Sequence, residues 1–69
     1  MTGMEQLGEW LAEDRARDAN IYAYGKRQWY CVLSIFGEHG LSKHRIVKDR
    51  YTPDAAAKAA VEAARKETR

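Results

Sequence analysis

The sequence predicts an α+β domain of order α-β-β-β-α, a three-stranded antiparallel sheet with both helices on one face. Three observations lead there. The run Trp29-Tyr-Cys-Val-Leu-Ser-Ile-Phe36 is apolar enough to be a central strand. Glycine-bearing segments, Gly25-Lys26-Arg27 and Gly37-Glu38-His39-Gly40, flank it as turns. Thr52-Pro53-Asp54 then supplies an N-cap, a proline at the first helical position and an acid in the first turn.

Each element follows from local chemistry. Thr2 and Glu5 form a capping-box pattern, opening a first helix over Met4–Arg17. Met4, Leu7 and Leu11, with Trp10 beside them, make its apolar stripe, and Trp10 reads as the plug between helix and sheet. Glu5, Glu9 and Glu13 run down another face. Asp18-Ala19-Asn20 breaks the pattern, and Ile21–Tyr24 is short, β-branched and aromatic, the first strand of a hairpin. The central strand alternates. Trp29, Cys31, Leu33 and Ile35 are uniformly apolar, while Tyr30, Val32, Ser34 and Phe36 are mixed, as for a sheet with one covered and one open face. The third strand, Lys43–Tyr51, is charged, which suits an edge strand. The second helix runs to about Lys66 and is rich in alanine, whose small side chain allows close approach to the sheet.

Size and composition bound the function. At 69 residues the chain reads as a single domain, 1–69, too small for a deep catalytic cleft. Cys31 stands alone, so no internal disulfide and no zinc cluster is available, and a reducing, cytoplasmic setting fits. No leader-like or membrane-spanning apolar stretch occurs. Charge is unevenly spread. Residues 1–19 carry Glu5, Glu9, Glu13, Asp14 and Asp18 against Arg15 and Arg17, a net −3; residues 20–51 carry Lys26, Arg27, Lys43, Arg45, Lys48 and Arg50 against Glu38 and Asp49, a net +4. Positive charge therefore gathers on the expected sheet.

Trp29 opening the second strand, Gly37 and Gly40 in the hairpin and Thr52-Pro53-Asp54-Ala55-Ala56 starting the helix resemble the arm-type (AP2-like) DNA-binding domains of phage integrases over residues 21–66. Those domains lay their sheet in the major groove, and the resemblance implies DNA contacts at Lys26, Arg27, Tyr30, Lys43, Arg45 and Lys48. The leading acidic helix departs from that pattern. The element order is also similar to a double-stranded RNA-binding domain, but the lysine run that opens the second helix there is represented here by Lys58 alone. In size and α+β make-up, though in no motif, the chain is similar to small phage-encoded inhibitors, anti-CRISPR proteins among them.

Candidate sites follow from period-two alternation. If the odd face of the central strand is core, Tyr22, Tyr24 and Tyr30 share the open face, joined by His44, Lys48 and Arg50 in the third-strand register the apolar residues suggest. Cations beside tyrosines suit a polyanion: Lys and Arg neutralise phosphates and rings stack on bases. The same residues suit a protein partner, since Tyr and Arg are enriched at binding hot spots, or simply an ordinary solvated face. The acidic stripe Glu5, Glu9 and Glu13 could dock on a basic partner by mimicking phosphates, or be plain solvated helix. No catalytic, cofactor or metal motif is present: Cys31 reads as a small core residue, His39 and His44 lack companion ligands, and Ser34 lacks a base. The expectation is a non-enzymatic binding protein without cofactor, with nucleic acid as first partner and a protein complex, as for a phage-encoded inhibitor, as the alternative. A homodimer would relieve a core short of large side chains.

Overall fold

The computed structural model describes residues 2–37 and 42–67, and among them the elements run α1 (Gly3–Ala12), β1 (Arg17–Ala23), β2 (Trp29–Phe36), β3 (Ser42–Arg50) and α2 (Pro53–Glu67). The strands form one antiparallel sheet in the order β1-β2-β3, so the apolar β2 takes the centre and β1 and β3 the edges. Both helices cover the same face. Leu7 and Trp10 of α1 and Ala56, Ala57, Ala60, Val61 and Ala64 of α2 share a core with Cys31, Leu33 and Ile46. Trp10 and Leu33 are fully buried, and alanines on α2 let its backbone lie close over β2 and β3.

Threonine caps both helix starts, although the Glu5 carboxylate does not make the return bond of a full capping box. Thr2 Oγ1 accepts from the Glu5 N–H at 3.1 Å, and Thr52 Oγ1 from the Ala55 N–H at 3.1 Å. The two N-termini are also tied together: the Met4 N–H donates to Asp54 Oδ1 at 3.0 Å. The backbone N–H groups of Met4 and then Gly3 hold the Asp54 carboxyl below its ordinary range.

Boundaries differ from expectation by more than one residue at one junction. α1 stops at Ala12 rather than Arg17, and β1 begins at Arg17 rather than Ile21. Asp14 Oδ1 accepts from the Ala16 N–H at 2.9 Å, a local turn that ends the helix. Arg17 is then drawn into the ladder opposite Ile35. Its guanidinium stays tied to the helix end, donating to the Trp10 carbonyl at 2.7 Å and to Glu13 Oε1 at 2.9 Å, and lying 4.6 Å from the centre of the Trp10 ring. Met4, placed on the apolar stripe by sequence, is 48% exposed; buried Gly3 packs against α2 instead.

The face assignment of β3 also needs correction. Leu33 pairs with Ile46, Cys31 with Lys48, Ile35 with His44 and Trp29 with Arg50, so His44, Lys48 and Arg50 lie on the helix side and not beside the tyrosines. Ile46 decides the parity. It is 5% exposed, whereas its neighbour Val47 is 49% exposed on the open face. An edge strand accommodates charges pointing toward the covered side because its outer margin is still open to water, and such charges discourage pairing with another chain. Of the second expected hairpin turn, Glu38, His39 and Gly40 lie outside the described residues, as does the side chain of Lys43.

Candidate binding face of the sheet

β1 and β2 pair with Tyr22 opposite Tyr30, and the ladder continues past Ala23 through a Tyr24 N–H to Gln28 carbonyl bond of 2.7 Å. This brings the three tyrosines together on the uncovered face. Tyr30 sits between its neighbours, its ring centre 5.7 Å from that of Tyr22 and 5.6 Å from that of Tyr24, the latter edge to face. Tyr22 and Tyr24 are 48% and 64% exposed, a large aromatic surface for so small a chain.

The cluster is flanked on two sides. At the β1–β2 turn, Gly25 takes φ +77°, a left-handed conformation that glycine adopts without cost, and the chain reverses through Lys26 and Arg27. Tyr24, Gly25, Lys26, Arg27, Gln28 and Tyr51 line a depression there, pinned to β3 by the Gln28 amide donating to Asp49 Oδ2 at 3.2 Å. Across the sheet, Asn20, Tyr22, Val32 and Arg45 line a second shallow depression. Arg45 reaches this face because it pairs opposite Ser34.

The expected site residues thus divide. Tyr22, Tyr24, Tyr30 and Arg45 share the open face with Lys26 and Arg27 at its rim, while His44, Lys48 and Arg50 lie on the other side. His44 Nε2 is 2.5 Å from Glu67 Oε2 of α2. The face is less basic than the sequence suggests, since Arg45 shares it with Asp18 and Asp49. Sequence reasoning missed Tyr51, 79% exposed in the turn depression, and the open-face residues Asn20 and Val47.

The acidic stripe is partly committed inside the fold. Glu13 accepts from Arg65 at 3.1 and 2.7 Å and from Arg17 at 2.9 Å, joining the ends of α1, β1 and α2, and these guanidinium contacts, Arg65 first, hold its carboxyl down at about 2. Glu5 and Glu9 stay exposed. Cys31 is fully buried, and burial pushes its thiol up to about 11. Among the described residues no group of three or more His, Cys, Asp or Glu is placed to hold a metal ion, and no helix is long and apolar enough to cross a membrane. Comparison with known proteins finds no matching family model, no matching curated protein and no matching solved structure, so the functional reading rests on the chemistry of this surface.

Proposed function

We propose that the chain is a non-enzymatic binding protein whose open sheet face takes single-stranded nucleic acid. One observation carries the reading: the row of Tyr22, half-buried Tyr30 and Tyr24, exposed at both ends, runs directly into a depression lined by Lys26, Arg27 and Tyr51. Exposed rings offer stacking surface to any unpaired base, and cations at the rim neutralise the backbone that links the bases. A single strand is favoured over a duplex on two grounds. Duplex bases are already stacked on each other, and Asp18 and Asp49 weaken the broad positive field that a duplex rewards.

The test is fluorescence anisotropy with a short labelled oligo(dT) across a salt series. With Lys26, Arg27 and Arg45 as contacts, log K should fall with log salt at a slope of about −2. Tyr24→Ala should cost about 1–3 kcal/mol of binding, the worth of one stacked base. Binding that ignores salt, or a duplex that competes as well as the single strand, refutes the proposal.

A second reading keeps the surface and changes the partner. Val47 is 49% exposed on the face that also carries the acids Asp18 and Asp49, and an apolar, tyrosine-rich face with mixed charge suits a protein hot spot, as an inhibitor of a larger complex would use. Absence of any salt-dependent oligonucleotide binding would favour it.

A further inference from the structure

The cations that β3 turns toward the helix side meet α2 across a groove. Lys48 and Arg50 form one wall; Ala59 and Ala63 keep the opposite side low, and Glu62 and Lys66 border it. Among the described residues the ammonium groups of Lys48 and Lys66 have no ion-pair or hydrogen-bond partner, and the Arg50 guanidinium donates only to the adjoining Asp49 carbonyl at 2.6 Å. Glu62 and Lys66 stand one helical turn apart, yet they form no ion pair.

Each cation has an ordinary role. Lys66 offsets the negative end of α2, and Lys48 and Arg50 guard an edge strand. Neither role requires that all three border one groove with an alanine floor.

We infer that this groove binds a linear run of phosphates, separately from the open face. Lys48 and Arg50 are two residues apart on one side of a strand, hence about 7 Å, a spacing close to that of successive phosphates along a polynucleotide. Lys66 faces them from the helix, so the three grip a chain from two sides rather than a point charge from one. The ligand chemistry is a phosphate chain, supplied either by inorganic polyphosphate or by a nucleic-acid backbone.

The experiment is an NMR titration of the isotope-labelled chain with tripolyphosphate and, separately, with oligo(dT). Tripolyphosphate has no bases, so its binding is independent of the tyrosine face. Expected are shifts of the amides of Lys48, Arg50, Ala59, Ala63 and Lys66, with a salt slope of about −2 for three cations on a single strand. Lys48→Gln with Arg50→Gln should weaken binding at least tenfold, and Glu62→Gln, on an exposed helix position that leaves the fold intact, should strengthen it severalfold. Lys48→Gln alone should weaken binding at least threefold, whereas Lys58→Gln, which removes one positive charge from α2 outside the groove, should change affinity less than twofold. Tripolyphosphate binding alone identifies polyphosphate as the source; tighter oligo(dT) binding that also moves the groove amides identifies a nucleic-acid backbone. The proposal is overturned if no groove amide moves, if Lys58→Gln weakens binding as much as the groove variants, or if a poly-glutamate peptide of equal charge binds equally well.

Discussion

Gly3→Ala is the sharpest test of how the two helices are joined. A Cβ at residue 3 would lie 1.9 Å from the Asp54 carbonyl oxygen, 2.9 Å from its carbonyl carbon and 3.0 Å from the Lys58 nitrogen. All three atoms are backbone, so no side chain can swing aside. Relief requires α1 to move more than an ångström from α2, which breaks the Met4 N–H to Asp54 bond and opens the core where Leu7 meets the alanines.

Overpacking of this kind costs about 1–3 kcal/mol, and the upper end applies because backbone must move. Against it stands the better helix propensity of alanine, up to about 1 kcal/mol. The net destabilisation is about 2 kcal/mol, and for a domain of this size that lowers the melting temperature by roughly 8–16 °C. Gly8 supplies the control. A Cβ there meets nothing within 4 Å, so Gly8→Ala keeps the propensity gain and should raise the melting temperature by a few degrees. Thermal unfolding followed by far-UV circular dichroism reads both. Equal melting temperatures for the two variants would refute the close helix contact and the reasoning built on it.

Two further outcomes follow from ionisable groups. The Glu13 carboxyl, held at about 2 by Arg65 and Arg17 against an ordinary value of 4.5, contributes stability that is complete above pH 4.5 and lost as pH falls through about 2. Glu13→Gln should therefore flatten the acid limb of a stability profile measured by urea denaturation between those values, and an unchanged limb would show that the Arg17–Glu13–Arg65 link does not persist in solution. The Cys31 thiol, buried and pushed up to about 11, should resist a disulfide exchange reagent at neutral pH in the folded chain and react promptly in urea, as absorbance of the released thiolate will report.

Elements whose causes are local were legible from sequence. Thr52-Pro53-Asp54 sets the start of α2 by capping chemistry alone, and the alternation of Trp29–Phe36 requires only that one face be covered. The end of α1 was less legible because Glu13 and Arg17 are spaced as a helical pair. They do form an ion pair at 2.9 Å, but across a helix–strand junction. Arg17-Asp18-Ala19-Asn20 has little intrinsic strand preference; it is strand because Ile35, Ser34, Leu33 and Val32 of β2 offer it a full ladder. Of the binding face, the tyrosine cluster followed from parity within one hairpin, whereas the contribution of β3 did not.

In β3 the adjacent residues Ile46 and Val47 compete for the covered side, and that single choice sorts every charge on the strand. With Ile46 buried, Arg45 falls on the tyrosine face and Lys48 and Arg50 in the groove under α2. Cations that look like one basic cluster along the chain are thus divided between two surfaces separated by the thickness of the sheet. Two consequences separate the surfaces in experiment. Arg45→Gln should weaken oligonucleotide binding at the tyrosines while leaving tripolyphosphate in the groove untouched, and Lys48→Gln should weaken tripolyphosphate more than it weakens the oligonucleotide. If both substitutions weaken both ligands equally, then net charge alone governs binding, and the alternation of β3 has no part in recognition.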